Sequence, residues 1–322
     1  MQKLSINSNH KLIFPESRSL DIHCSDADEM HELSAYWSFE HHKQYSRGKF
    51  HGKILAINTP RLQLSLTSRA PGIFVRKGIP PGTSIVSIPF FNNRQPLYRG
   101  KLLERSHAIA LKYGEELEYT HNEPSAVLTI ACDSHLFNQK ALEITGNSFD
   151  ELRTQDYFLM RETCLNNRVN RLMSLLHSHL NRGDELFGPL GSNFEHEVFE
   201  IFFPGVLRQG EEPRANYSVL QAKKAEEFIL DNLRKPLSIS EVCQMTGTTK
   251  RTLHRGFKER YSVSPALFIK IMRLNAVRNE LRQRRDRRHI SQIATSWGFD
   301  HLSYFSRDYL RFFGERPSHT SR

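Results

Sequence analysis

The sequence predicts an α+β protein: a β-rich amino-terminal domain with trailing helices, then an all-α domain with two helix-turn-helix units joined by a long helix. Three observations predict it. Period-two apolar alternation recurs through residues 50–131, the apolar spacing turns helical from about 134, and a helix–turn–helix pattern near residue 240 recurs about fifty residues later.

The strands come first. KILAIN (53–58) and RLQLSLTS (61–68) alternate apolar and polar positions, and GIFVRKG (72–78), TSIVSIPFF (83–91) and AVLTIA (126–131) are short apolar runs. Ala70-Pro71-Gly72 and Pro80-Pro81-Gly82 are turn signals between them. Short strands at this spacing predict a β-sandwich or a small barrel.

Helices follow. Leu165, Val169, Leu172, Met173, Leu176 and Leu180 form one stripe of a helix over about 161–181. A second helix within 194–208 is interrupted or ended near Pro204-Gly205. The polar run QGEEPRA (209–215) predicts a linker, which divides the chain into residues 1–208, 209–215 and 216–322.

The carboxyl-terminal part opens with a helix over about 217–232, with Leu220 and Phe228 set among Lys and Glu. Ser238 and Glu241 have capping-box spacing, Ile239, Val242 and Met245 give the next helix an apolar face, and Gly247 stops it. Thr248 or Thr249 caps a third helix whose inner face is Leu253, Phe257 and Tyr261. Its outer face is cationic: Arg251, His254, Arg255 and Lys258 lie at i, i+3, i+4 and i+7. A short helix, a glycine turn and a cationic second helix make a helix-turn-helix, whose second helix enters the major groove. A solvated basic face is the plain alternative for this segment taken alone.

The pattern then repeats. Ser291, Ile293, Ala294 and Gly298 repeat Ser240, Val242, Cys243 and Gly247, and Phe305, Arg307 and Tyr309 repeat Leu253, Arg255 and Phe257. Ile290, Ile293, Ala294 and Trp297 form the stripe of the second unit's first helix. Asp300 is the candidate N-cap of its second helix, and Phe299 is expected to staple against Tyr304. Between the units, Ser264 and Pro265 open a helix over 264–283. Twenty helical residues span about 30 Å, close to the roughly 34 Å of one DNA turn, so the helix can set two recognition helices one turn apart. RQRRDRR (282–288) is expected to be a solvated or phosphate-contacting link.

Charge agrees. Residues 213–322 hold 22 Lys+Arg against 10 Asp+Glu, a net of +12, whereas 1–212 hold 23 against 25. The basic balance at one end points to a polyanion there. The composition is that of a globular protein, at 38% hydrophobic and 25% charged. The start lacks a secretory apolar stretch and no apolar run reaches the roughly 18–20 residues of a membrane span, so the expected location is the cytoplasm, off the membrane. Cys24, Cys132, Cys164 and Cys243 are scattered and are expected to be reduced and mostly buried.

At this point the residues resemble the AraC/XylS family of transcription regulators. The resemblance covers about 217–318 and rests on ISQIATSWGF (290–299), FSRDY (305–309) and FGERPS (313–318), with LHRGF (253–257) and Ser264-Pro265 in the first unit. It implies a double helix-turn-helix DNA-binding domain that usually activates transcription. By motif position it implies Arg251, His254 and Arg255 as base-facing residues of the first recognition helix, and Leu302, Ser303, Ser306 and Arg307 of the second. Leu302 departs from the polar residue common there, and either contacts a thymine methyl or turns inward and packs. Ser262 stands where glycine is frequent, and the short terminal helix of many members is expected to be missing or brief. The family often carries a cupin-like barrel at the amino-terminal end, for effector binding or dimerisation. There is also a faint likeness to ethanolamine-operon-type regulators.

The expected partners are promoter or operator DNA and, for an activator, RNA polymerase. A small-molecule effector and a second copy of the chain are left open for the amino-terminal part. No enzymatic site stands out, and neither a metal nor a cofactor is called for. His41-His42 and His51 lack the spacing of a cupin metal set, and His177 and His179 diverge by about 200° on their helix. Two alternatives remain: a nonspecific nucleic-acid-binding protein, and a regulator whose first domain only dimerises through the 165–180 stripe.

Overall fold

The computed structural model describes residues 19–33, 39–91, 94–154, 156–160, 162–181, 190–207, 217–283 and 289–320. The expected linker 209–215 and positions 284–288 of the arginine-rich link lie outside them.

The described residues stack in four layers. An eight-stranded antiparallel sheet has the order β1-β3-β4-β11-β6-β9-β12-β13, from β1 (Ser19–Cys24), β3 (His51–Asn58), β4 (Leu62–Ala70), β6 (Thr83–Phe90), β9 (His107–Lys112), β11 (Ser125–Asp133), β12 (Tyr157–Met160) and β13 (Val206–Leu207). A five-stranded sheet has the order β2-β5-β10-β7-β8, from β2 (Phe39–Gln44), β5 (Ile73–Gly78), β7 (Leu97–Tyr98), β8 (Lys101–Leu102) and β10 (Glu116–His121). No ladder joins the two sheets among the described residues, so the amino-terminal domain is an open two-sheet arrangement and not a closed barrel. A short helix α1 (Ala27–Leu33) follows β1.

The large sheet buries its outer face under α2 (Ser134–Thr145), α3 (Phe149–Leu152), α4 (Glu162–Leu180) and α5 (Leu190–Phe202). Phe137, Phe158, Phe199 and Phe203 pack there against Leu64, Val86 and Ile130. Asp133 caps α2, and α5 ends at a 3-10 turn through Pro204, as Pro204-Gly205 predicts. Leu165, Val169, Leu172 and Leu176 of α4 are all buried in this core. The 165–180 stripe is therefore spent inside the domain and offers no dimerisation face.

Between the sheets lies a cavity of about 60 Å³, lined by apolar Leu20, Ile54 and Val127 and by polar Gln63, Arg69 and Lys77. The small sheet is buried on both faces because its strands alternate. Along β5, Val75 and Lys77 line the cavity, whereas Phe74 joins the core of the carboxyl-terminal helices and Arg76 pairs with Glu226 of that domain.

Those helices are α6 (Tyr217–Asp231), α7 (Ile239–Thr246), α8 (Lys250–Tyr261), α9 (Pro265–Gln283), α10 (Ile290–Ser296) and α11 (Leu302–Phe313). Helices α7 and α8 form the first unit, α10 and α11 the second, and α9 joins them. Helix α6 packs against α8 with Val219, Ala222, Ala225 and Ile229 buried, whereas Leu220 is half exposed. Gly256 sits at that crossing, where an added Cβ would run into the Ser218 carbonyl oxygen.

Of the other expectations, Cys24, Cys132 and Cys243 are buried free thiols, and the Cys164 side chain is not among those described. His42 is buried and His51 exposed. His177 and His179 each contact a backbone carbonyl of their own helix. Among the described residues no group of three or more His, Cys, Asp or Glu is placed to hold a metal, and no helix is long and apolar enough to cross a membrane.

Candidate nucleic-acid interface

Local chemistry sets the first unit. The Ser238 side chain accepts from the Glu241 backbone N–H while the Glu241 carboxylate accepts from Ser238 N–H, a complete capping box at the start of α7. Gly247 ends α7 with φ 63°, a left-handed conformation that glycine adopts without steric cost. Thr249, not Thr248, caps α8, its side chain accepting from Thr252 N–H at 3.2 Å. Recognition helix α8 then splits into two faces. Leu253, Phe257 and Tyr261 are fully buried, while Arg251, His254, Arg255 and Lys258 are exposed.

Not every cation of α8 faces outward. Arg260 is buried on the opposite side, where it pairs with Glu118 and donates to the Arg99 carbonyl oxygen at 2.8 Å. Two residues past Lys258, and so about 200° round the helix, Arg260 falls on the inner stripe with Leu253 and Phe257, and the folded amino-terminal domain supplies its partner there.

The second unit differs in its cap. The turn through Gly298 carries φ 79°, and α11 begins at Leu302 with His301 in the N-cap position and no side-chain cap bond. Asp300, expected to cap, precedes the helix start by one residue too many. Phe299 packs on Phe305 at 5.0 Å between ring centroids. The expected staple to Tyr304 fails for the same reason, and Tyr304 stays 57% exposed. Phe305, Tyr309, Phe312 and Phe313 face the core. Leu302, Ser303, Ser306 and Arg307 are exposed, so Leu302 does not turn inward.

Sequence reasoning missed Lys250 and Tyr304, which share these outer faces. The Arg307 guanidinium lies over the Tyr304 ring at 4.9 Å, a stacking that extends the side chain along α11. Arg255 makes only a 3.7 Å ion pair with Glu259 on its own helix, half in solvent, which is worth little and leaves the guanidinium available.

Between the units, α9 acts as a brace. Its Ser264 cap accepts from Leu267 N–H and Pro265 is its first residue, as expected. Arg273, midway along, donates to the Leu233 and Lys235 carbonyl oxygens at 3.0 and 2.6 Å, and to that of Gly298 at 3.4 Å. One guanidinium thus ties the segment before the first unit to the turn of the second. Trp297 adds to this, donating to Glu280 at 2.7 Å while Arg234 stacks on its ring at 4.0 Å. At the far end of α9, Arg282 donates to Asp26 at 2.8 Å, so this first residue of the arginine-rich link serves the domain interface and not a phosphate.

The comparisons with known proteins agree with this geometry. The family described as helix-turn-helix domain matches residues 242–322. The XylDLEGF operon transcriptional activator of Pseudomonas putida is 26% identical over 227 residues, 69% of this chain and 66% of that protein, so the chain spans just under two thirds of its length. The HTH-type transcriptional regulator ArgR of Pseudomonas aeruginosa is 35% identical over 86 residues, 27% of this chain and 26% of that one. Among solved structures, a probable AraC family transcriptional regulator from Rhodopseudomonas palustris CGA009 is 33% identical, covers 31% of this chain and 94% of its own, and has a TM-score of 0.30. Residues 242–322 match a helix-turn-helix family, and the carboxyl-terminal part of the chain, with two such units braced on one connecting helix, is similar to that of AraC/XylS-type transcriptional regulators.

Proposed function

We propose that the protein is a sequence-specific transcription regulator, an activator working with RNA polymerase in the cytoplasm, that reads two adjacent major-groove segments with α8 and α11. The observation that carries the reading is the pair of exposed faces on one braced domain. Arg251, His254, Arg255 and Lys258 stand on one recognition helix, and Leu302, Ser303, Ser306 and Arg307 on the other. Arg grips guanine O6 and N7 with two bonds, Ser bonds either base type, and Leu302 meets a thymine methyl. A nonspecific binder would need the cations but gives no role to Ser303, Ser306 and Leu302. Residues 216–322 form the DNA-binding domain, 209–215 the linker and 1–208 the effector-binding or dimerisation domain.

In-vitro selection from a random duplex library, at near-physiological salt, tests this. Two enriched blocks centred about 10–10.5 base pairs apart support it. Binding without enrichment, vanishing as salt rises, replaces it with backbone binding alone.

The cavity between the sheets favours a small-molecule effector as the input. It combines apolar walls with buried polar side chains, as ligand sites do. At about 60 Å³ it is far below the roughly 300–1,000 Å³ of such sites, so an effector there is very small or parts the sheets on entry. A compound that binds the full chain and changes its DNA affinity supports this role; one that binds and leaves DNA affinity unaltered argues against it.

A further inference from the structure

Each recognition helix ends in backbone carbonyls that no intrahelical donor reaches. In this chain, two of them are satisfied by consecutive residues of the amino-terminal domain. The Tyr45 hydroxyl donates to the carbonyl oxygen of Tyr261, the last residue of α8, at 2.8 Å. The Gln44 side-chain amide donates to the carbonyl oxygen of Phe312, in the last turn of α11, at 2.8 Å. The Gly48 backbone N–H donates to the same Phe312 oxygen at 3.1 Å. Gln44 also bonds through its backbone to Asn275 of α9, so this one stretch touches both units and the helix between them.

The surroundings make the stretch rigid. Gln44 is fully buried and Tyr45 2% exposed. Its amide is also shared with the Ser46 and Gly48 carbonyl oxygens, at 2.9 and 2.8 Å, which fixes the turn after β2. The Tyr45 ring packs between Phe74 of β5 and Phe268 of α9. Neither residue touches the outward faces of α8 and α11, which project from the opposite side of each helix.

We propose that Gln44 and Tyr45 are positioning residues for DNA recognition: a splint that holds the carboxyl-terminal ends of both recognition helices and so sets the base-pair spacing at which the two can bind together. This rests on the two-block reading above. The connecting helix α9 starts at Pro265, four residues after Tyr261, and so is joined to the end of α8. It meets the second unit at α10 and leaves the carboxyl-terminal end of α11 remote from that joint; pivoting there costs affinity because the second contact then has a lower effective concentration. Tying both to one buried stretch, Tyr45 at the α8–α9 joint and Gln44 at the remote end of α11, removes that pivot before DNA arrives.

The test uses full-length protein and duplexes carrying the two selected blocks at a series of separations, with a one-block duplex as control. Tyr45→Phe deletes one oxygen and keeps the ring, and Gln44→Met keeps the bulk and removes the amide. Wild-type affinity should peak sharply at one separation. In Tyr45→Phe and in the double variant the peak should broaden and fall about tenfold for the double, while one-block binding stays within about twofold. A folded Tyr45→Phe or double variant that keeps the wild-type profile, or loses affinity equally on one-block and two-block DNA, overturns the proposal. Should the double variant not fold, the profile of Tyr45→Phe decides alone. A wild-type chain with no preferred separation would instead count against the two-block reading itself.

Discussion

Gln44 and Asn275, 231 positions apart, exchange two hydrogen bonds: Gln44 N–H donates to Asn275 Oδ1 at 3.2 Å, and Asn275 Nδ2 donates to the Gln44 carbonyl oxygen at 3.0 Å. The side-chain amide thus pairs with the end of β2 as a neighbouring strand would. Both residues are buried, so neither backbone group has water to fall back on. Asn275→Ala leaves a donor and an acceptor unpaired and should cost about 1–3 kcal/mol in denaturant unfolding. A cost near zero would show that the domains separate readily.

Gly256 predicts an inversion of an ordinary rule. Alanine normally stabilises a helix interior by about 1 kcal/mol over glycine. Here the added methyl meets the Ser218 carbonyl oxygen and the Ala222 side chain across the crossing of α6 and α8. Gly256→Ala should therefore destabilise by about 1–3 kcal/mol in chemical denaturation. A stabilised variant would mean that α6 does not pack there.

Glu226 carries a pH signature. Its carboxyl is buried under β5 and α8, accepting from Arg76 at 2.6 Å and from the Tyr261 hydroxyl at 2.8 Å. Burial, with the nearby Glu118 carboxylate as second cause, pushes its pKa up to about 7, whereas an unfolded Glu titrates near about 4.3. Between those values the folded state holds more protons, so this contribution to stability is full below the unfolded pKa and is lost as pH rises through about 7. Glu226→Gln fixes the neutral form. The stability advantage of wild type over the variant should shrink from pH 5 to pH 8 in urea unfolding. An advantage that stays flat from pH 5 to pH 8 would show instead that Arg76 holds the carboxylate ionised throughout.

Arg255→Ala and Arg307→Ala should each cost about 1–3 kcal/mol on the selected duplex and relax preference at one position, each in a different block. Thermal stability should hardly move, because both guanidinium groups make only exposed contacts on their own helices. Equal losses on selected and random duplexes would make them phosphate contacts.

The carboxyl-terminal domain was largely legible because its signals are local. The Ser238–Glu241 box, Gly247, Thr249 and Pro265 act within one helical turn, and they lie where spacing puts them. Ser262, where relatives often carry glycine, caps α8 with φ 58°, so the backbone keeps the left-handed turn despite the side chain. The cap of α11 was misread because the second turn shifts the helix start past Asp300.

The amino-terminal domain was half legible. Strands with one buried apolar face announced themselves; β2 and β10 did not. FEHHKQ is polar and ELEYTH offers apolar Leu117 and Tyr119 on one face only, yet Gln44, Glu118 and Thr120 are buried, since the small sheet is covered on both sides. Their partners Asn275, Arg260 and Phe312 lie more than 100 residues away. A pattern confined to neighbours cannot show such pairings, and the splint on the recognition helices is built from them.

The most direct test of dual major-groove reading is methylation interference at guanine N7 on a selected duplex, since that atom lies in the major groove. The account predicts two patches of interference centred about 10–10.5 base pairs apart, one lost in Arg255→Ala and the other in Arg307→Ala. A single patch, or none on a duplex that the chain still binds, would contradict it.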